Sequence, residues 1–111
     1  MKKYQLGEFE EIVLLTVAVL FDDAYGVSIR KEIEQKMNRK VSVSALQTAL
    51  RRMESKGFLN SRFGEATAVR GGKRKRLFLV TPFGKEALEH AKDTRIKLWE
   101  SIPSIAFDFG K

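Results

Sequence analysis

The sequence contains no cysteine and only one histidine, His90, among its 111 residues. The lack of cysteine excludes disulfides, cysteine-based zinc sites and a thiol nucleophile. A metal site needs two or three converging ligands, and the carboxylates beside His90 are spaced to pair with lysine and arginine side chains of the same helix instead. No set of nucleophile, base and orienting group suggests itself. We therefore expect no enzyme activity, no metal and no cofactor.

The sequence also lacks a long hydrophobic run. Its most apolar stretch, residues 12–21, is about ten residues long, whereas a helix needs about 20 to span a bilayer. Glu8, Glu10 and Glu11 stand where the uncharged segment of a signal peptide would begin. We expect a cytoplasmic protein with no membrane partner.

Acidic residues are scarce in the middle of the chain. Residues 39–81 hold eleven basic and two acidic side chains, a charge of +9, whereas the whole chain carries +7. Residues 1–38 have a charge of −2 and residues 82–111 are neutral. A basic cluster of this kind is typical of a surface that binds a phosphate backbone, and a basic solvated face is the alternative.

A first helix is predicted over residues 6–20, where apolar residues follow helical spacing. Additional apolar residues, beginning with Leu14 and Leu15, widen the stripe until the helix is apolar nearly all round. Such a helix lies in the centre of a domain or in a subunit contact. Asp22 or Asp23 then serves as a cap for the next helix.

Two further helices are predicted over about residues 24–37 and 42–56. Asn38 suits the left-handed end of the second helix, Ser42 is the expected N-cap of the third, and Gly57 is its expected stop. Because only a few residues join them, the pair has the helix-turn-helix pattern. The predicted inward positions are Val27, Ile29, Ile33 and Met37 in the second helix and Val43, Leu46, Leu50 and Met53 in the third.

Two strand-like runs, residues 58–63 and 75–80, flank a glycine-rich loop and predict a β-hairpin with a basic tip. Thr81 and Pro82 then predict the N-cap and first residue of a last helix that ends before Pro103. The expected fold is mainly α (α+β), a winged helix-turn-helix of three helices, a two-stranded β-wing and a C-terminal dimerisation helix. We expect residues 1–81 to form the DNA-binding domain and residues 82–111 the dimerisation helix and tail.

The third predicted helix carries a polar face, in which Ser44, Gln47, Thr48 and Arg51 lie at offsets of 0, 3, 4 and 7. Arginine pairs with guanine, glutamine with adenine, and hydroxyl groups with either. The N-terminal half of such a helix enters the major groove, which favours Ser44, Gln47 and Thr48 as base-reading residues. Arg51 and its neighbour can equally hold phosphates. With the cap residue included, the candidate DNA-binding residues of this helix are Ser42, Ser44, Gln47, Thr48, Arg51 and Arg52, and a polar solvent face is the alternative.

The predicted tip of the hairpin places two glycines, Gly71 and Gly72, before four consecutive cations. Glycine lets a loop approach DNA closely, and cations displace the counterions of the phosphates. The same string would also suit a solubilising loop or a nuclear-import-like tract. The candidate DNA-binding residues of this wing are Lys73, Arg74, Lys75 and Arg76.

The order of these motifs resembles the PadR family of bacterial winged-helix regulators over roughly residues 6–90. Many family members carry a tyrosine where this chain has Gln47, which can hydrogen-bond a base but cannot supply the aromatic packing. The matching segments are Leu6-Gly7-Glu8-Phe9-Glu10, Tyr25-Gly26 with Ile29, Val41-Ser42 with Ala45-Leu46, Leu50-Arg51-Arg52-Met53-Glu54-Ser55-Lys56-Gly57, residues 71–78, and residues 81–84 with Ala87-Leu88.

The resemblance implies a homodimer in which the C-terminal helix crosses onto its partner. That helix and the tail after it have more apolar surface than a monomer of this length can cover. Some short relatives bind a small, flat hydrophobic effector between their subunits with aromatics of this region. Trp99 is the candidate for such a contact, with Leu98 and Ile102 in the same interface, and packing of Trp99 without a ligand is the favoured alternative.

The sequence therefore favours a transcriptional regulator, a repressor that binds double-stranded DNA at an inverted-repeat operator as a homodimer. The recognition helix of residues 42–56 would lie in the major groove, and the wing of residues 71–76 would lie on phosphates or in the minor groove. A module that binds an acidic protein is one alternative, although the outer face of the third helix is too polar for it. An RNA-binding module is the other, since a basic wing suits either nucleic acid.

Overall fold

The computed structural model describes residues 3–64 and 74–110. Four α-helices and a two-stranded antiparallel sheet follow in the predicted order, so the predicted mainly helical winged-helix fold is confirmed. The elements are α1 (Glu8–Leu20), α2 (Gly26–Met37), α3 (Val43–Ser55), β1 (Leu59–Phe63), β2 (Arg76–Val80) and α4 (Pro82–Ser101), with short 3-10 helices at Phe21–Asp23 and Ser104–Phe107. None of the helices within the described ranges is long and apolar enough to cross a membrane.

Most helix ends lie where the local sequence predicts them. The Ser42 hydroxyl accepts a hydrogen bond from the Ala45 backbone N–H at 3.1 Å, and the Thr81 hydroxyl accepts one from Gly84 at 2.9 Å. Asn38 adopts the left-handed conformation with φ 50°, and Gly57 follows α3 with φ 85°. These caps satisfy backbone groups that have no partner within the helix.

The predicted aspartate cap of α2 is wrong. The N-cap residue is Tyr25, and the hydroxyl of Ser28 accepts a hydrogen bond from its backbone N–H at 3.0 Å. The same hydroxyl lies 2.5 Å from the carbonyl oxygen of Asp23. The 3-10 turn at Phe21–Asp23 moves the start of α2 beyond the reach of the aspartate side chains.

One hydrophobic core joins α1, α2, α3, the sheet and the start of α4. Val27, Met37 and Val43, predicted to point inward, are each about half exposed, so this part of the prediction is wrong. The buried residues are Val13, Leu14, Val17, Ala24, Ile29, Ile33, Val41, Leu46, Ala49, Leu50, Met53, Phe58, Leu59, Phe78 and Ala87.

The hairpin is attached to the helices through its inner face and through the outer edge of β2. Leu59 pairs with Val80 at the base of the sheet and Phe63 with Arg76 at its outer end. The Phe78 backbone N–H also donates to the Ala24 carbonyl at 2.8 Å. This bond connects β2 to the segment just before α2. The position of the hairpin relative to the helix-turn-helix is therefore fixed.

Helix α4 packs on the core with its first half only. A stripe of residues spaced alternately by four and three runs along one side of it, and Arg95 in this stripe pairs with Glu11 of α1 at 2.6 Å. Beyond Arg95, Leu98 on the same side is 65% exposed and Ile102 is half-buried. The stripe consists of Gly84, Leu88, Ala91, Arg95, Leu98 and Ile102.

Candidate nucleic-acid interface

The outer side of α3 is polar and open to solvent. Ser44, Gln47 and Arg51 are exposed and Thr48 is half-buried. The opposite side carries the four buried residues Leu46, Ala49, Leu50 and Met53. Burial of this apolar side fixes the rotation of the helix, and the predicted polar face therefore points outward.

The polar face of α3 is bordered by two shallow depressions. Gln47 and Val43 line one against the start of α2, which includes Gly26 and Val27. Thr48 and Arg52 line the other, against the start of α1. The predicted base-reading residues are therefore divided between the two depressions, with Gln47 in one and Ser44 and Thr48 in the other.

Ser42 has a structural role as the N-cap of α3, which is separate from any contact with an external partner. It is exposed at the start of α3, but its hydroxyl already accepts the Ala45 N–H as the helix cap. The hydroxyl accepts in this bond, so its own hydrogen is available to donate to another group.

The cations near α3 differ in whether they are already paired. Lys56 contacts Glu10 at 3.1 Å and Arg39 contacts Glu8 at 3.4 Å. Arg51 and Arg52, in contrast, form no ion pair or side-chain hydrogen bond with any residue in the described ranges. These two guanidinium groups can bind an anion without first breaking an internal contact.

The cations of the predicted wing are held at its root. Arg74 donates to the carbonyl oxygen of Gly64 at 3.1 Å, and the Lys75 ammonium lies 4.1 Å from the ring centroid of Tyr25. Arg76 contacts Glu54 of α3 at 2.8 Å. The predicted tip residues Lys73, Gly71 and Gly72 lie outside the described residues.

The acidic partner of the wing was not identified from the sequence. Glu54 contacts Arg76, and Ser61 of β1 contacts both of them. One signal was present, because Glu54 is one of only two acidic residues in the basic middle of the chain. Its partner, however, is 22 residues away, and only the sheet register brings the two together.

The C-terminal half of α4 and the following tail form an exposed apolar surface. Leu98 and Trp99 are 65% and 70% exposed and Ile102 is half-buried. The Trp99 ring lies 6.3 Å from that of Phe107, which lies 6.3 Å from that of Phe109. The three aromatic rings therefore lie close to one another beside the end of α4.

His90 packs against an aromatic ring and does not belong to a ligand cluster. Its ring lies 5.3 Å from that of Tyr4, whose hydroxyl donates to Glu86 at 2.7 Å. Across residues 3–64 and 74–110, no group of three or more histidine and carboxylate side chains is arranged to hold a metal ion.

Comparison with known proteins identifies one family and several related structures. The sequence matches the model of the transcriptional regulator PadR-like family over residues 14–90, more than half of the chain. A PadR family transcription regulator from Clostridium difficile R20291 is 30% identical and has a TM-score of 0.62, with 80% of this chain and 91% of that chain covered. A search of curated proteins finds no match.

Two further structures support the same fold. A transcriptional regulator from Clostridium thermocellum is 25% identical with a TM-score of 0.64, and 92% of each chain is covered. A PadR family regulator from Eggerthella lenta DSM 2243 is 20% identical with a TM-score of 0.68, over 90% of this chain and 87% of that chain.

Proposed function

Since the chain belongs to the PadR-like family of transcriptional regulators, we propose that it represses transcription by binding an inverted-repeat operator as a homodimer. The family resemblance seen in the sequence is confirmed, and the family is one of DNA-binding regulators, not of enzymes. The proposal concerns the repressor role, the operator, the contact residues and the dimer.

The outward polar face of α3 is the observation that carries the proposal. Ser44, Gln47 and Arg51 offer hydroxyl, amide and guanidinium groups that can pair with base edges or phosphates. The 13-residue helix is about 20 Å long, so its N-terminal half can enter a major groove while its C-terminal half remains at the backbone. We assign base reading to Ser44, Gln47 and Thr48, and phosphate binding to Ser42, Arg51 and Arg52.

The wing supplies contacts that do not depend on sequence. We assign Lys73, Arg74 and Lys75 to phosphates or the minor groove beside the recognition helix, because cations on a loop next to the helix follow the strand that borders the groove.

The exposed half of α4 supports the dimer. A C₂ interface brings the same surface of both subunits together, and Leu98, Trp99 and Ile102 provide an apolar surface for it. We propose that residues 82–111 hold two DNA-binding units of residues 1–81 at the spacing of two half-sites. Trp99 lies in this interface, and a small hydrophobic effector stacked on it would quench its fluorescence.

Fluorescence anisotropy with duplex DNA from the promoter of the protein's own operon tests the proposal. We expect saturable binding to an inverted repeat, with log Kd rising with log salt concentration by about 0.9 for each phosphate contact. A shuffled duplex and a duplex RNA of equal length are the controls. Equal binding to all three, or binding that hardly responds to salt, would contradict a sequence-specific repressor.

Substitution of Gln47 tests the reading of bases by α3. Gln47→Ala should reduce the preference for the operator over its single-base variants by about tenfold at one position, because a bidentate contact contributes about 1–3 kcal/mol of discrimination. Arg52→Ala is the matched control on the same helix and should weaken all duplexes alike. An unchanged base preference in the Gln47 variant would remove this residue from the set of base readers.

A further inference from the structure

Arg76, Glu54 and Ser61 form a closed ring of hydrogen bonds at the root of the wing. The Arg76 Nη2 donates to Glu54 Oε1 at 2.8 Å, and its Nε donates to the Ser61 hydroxyl at 3.0 Å. The Ser61 hydroxyl in turn donates to Glu54 Oε2 at 2.6 Å. Two of the five guanidinium N–H groups are used in this ring, and three elements meet in it: β2, β1 and α3.

The guanidinium group of Arg76 also lies near two aromatic rings. Its central carbon lies 5.9 Å from the ring centroid of Phe63 and 5.6 Å from that of Phe78. Contacts of this kind add to the hydrogen bonds by restricting where the planar group can lie. These contacts direct the Nε and Nη2 groups of Arg76 toward Ser61 and Glu54 of its own chain.

Glu54 is in an unfavourable position unless it has such a partner. It lies in the last turn of α3, where the helix dipole disfavours a negative charge. It also lies on the element proposed to approach DNA, where its negative charge would repel the phosphates. The bonds to Arg76 and Ser61 offset both penalties and give the carboxylate a structural reason to be there.

The ring lies where the hairpin leaves the body of the domain. Phe63 and Arg76 are the last paired residues of the sheet on the side of the tip. Next to them, the Gly64 N–H donates to the Lys75 carbonyl at 2.7 Å. The bonds to Glu54 connect this end of the sheet to α3.

We propose that Glu54, Ser61 and Arg76 are positioning residues that fix the direction of the wing relative to α3. The inference rests on the proposed use of these two elements in DNA binding. The role predicted for Arg76 changes accordingly. Arg76 affects DNA binding by pairing with Glu54 and fixing the angle of the wing, and not by binding a phosphate directly.

Glu54→Gln distinguishes positioning from direct contact by the sign of its effect. If Arg76 bound a phosphate itself, loss of the nearby carboxylate would free it and remove a repulsive charge, so operator affinity would rise. In a positioning ring, the loss of the charged bonds weakens the ring, so operator affinity should fall about fivefold. Glu32→Gln is the matched control, because it removes the same charge from an ion pair of 3.3 Å on α2.

The charge reversal Glu54→Arg with Arg76→Glu tests the pairing itself. Each single reversal should weaken operator binding, whereas the double variant should recover most of the affinity, since the pair is restored with opposite polarity. Ser61→Ala, which keeps both charges, should cause a smaller loss. A double variant that binds as weakly as the sum of the two single changes would overturn the proposal.

Amide hydrogen exchange provides a readout that needs no DNA. In Glu54→Gln, exchange of the Gly64 N–H should be about fivefold faster, while that of the Phe78 N–H, bonded to Ala24, should stay unchanged. Unchanged exchange at Gly64 would overturn the positioning role even if the operator proposal holds. Faster exchange without operator binding would support the ring and reject the proposed DNA function instead.

Discussion

A glycine is required at position 84 because two backbone segments approach each other closely there, and not because the residue has a left-handed backbone conformation. It lies buried in the first turn of α4, where an added Cβ would clash with the carbonyl oxygen of Phe58 and lie 3.0 Å from Val80 Cγ1. The Phe58 carbonyl cannot move away easily, because it accepts a hydrogen bond from the Thr81 N–H at 3.0 Å. The glycine thus lets α4 start directly on the end of the hairpin.

Gly84→Ala should therefore destabilise the protein. In an open helix this change adds about 1 kcal/mol of stability, but overpacking against a fixed backbone costs about 1–3 kcal/mol or more. We expect a net loss of about 1–2 kcal/mol of unfolding free energy, measured by urea denaturation at fixed protein concentration. The control is Gly26→Ala at the start of α2, where the nearest atom to a new Cβ is Gln47 Nε2 at 3.5 Å. If both variants were equally stable, the close approach at Gly84 would be disproved.

At the scale of elements, the start of α3 depends on one side chain. The hydroxyl of Ser42 accepts the Ala45 N–H, and Ser44, two residues later, forms no side-chain hydrogen bond with any residue that the structure describes. The two serines are both exposed and close in sequence, so they form a matched pair for separating helix capping from DNA contact.

Ser42→Ala should cost about 1 kcal/mol of stability, equivalent to a drop in Tm of about 4–8 °C for a domain of this size. Ser44→Ala should leave Tm unchanged. Ser42→Asp keeps an acceptor at the cap and should preserve Tm, but it should weaken operator binding because it adds a negative charge beside the phosphates. Equal losses of Tm in the alanine and aspartate variants would argue against the capping role. Thermal denaturation and anisotropy measure the two effects separately.

Helix ends were predictable because they depend on neighbours in sequence. Ser42, Thr81, Asn38 and Gly57 act within a few residues, and each has the predicted function at a helix end. The orientation of residues at the edge of a stripe was not predictable in the same way. Val43 has the right spacing for the core, yet it is 55% exposed, because the packing of α2 and α3 decides which edge is covered.

The partners of the wing cations depend on contacts between distant segments. A run of four cations indicates charge, but the sequence alone does not distinguish a side chain that faces solvent from one that faces Glu54. Arg76 pairs with Glu54 because the register places it opposite Phe63 and beside the last turn of α3. The sequence therefore predicted which elements carry the candidate residues. Only the tertiary structure distinguishes the exposed candidates from those bonded within the chain.

At the scale of the whole molecule, the chain is elongated. Its radius of gyration is 17.3 Å and its extents are 63 × 33 × 21 Å, whereas a compact domain of about this length has a radius of gyration near 13 Å. The second half of α4 lies beyond the part of the helix that packs on the core, and its Leu98 and Trp99 side chains are exposed. The same stripe that packs on the core through Leu88 and pairs with α1 through Arg95 continues along this projecting half, which therefore has a surface suited to a second copy.

Leu98→Glu should dissociate the proposed dimer without unfolding the protomer. Leu98 would be buried twice in a two-fold interface, so its loss should cost about 3–6 kcal/mol of association free energy, an increase in the dimer Kd of about 100-fold or more. The protomer should stay folded because this side chain is 65% exposed in it. Sedimentation velocity over a range of protein concentrations measures the Kd, and circular dichroism measures the fold.

Lys97→Glu is the matched control, since it places the same carboxylate on a neighbouring position that helical spacing directs away from the stripe. This variant should remain dimeric. Operator binding by the Leu98 variant should depend more steeply on protein concentration, because two protomers must then assemble on the DNA. Binding should recover at high protein concentration. A Leu98 variant that stays dimeric, or a wild-type protein that is monomeric at micromolar concentration, would show that α4 does not join the two DNA-binding units.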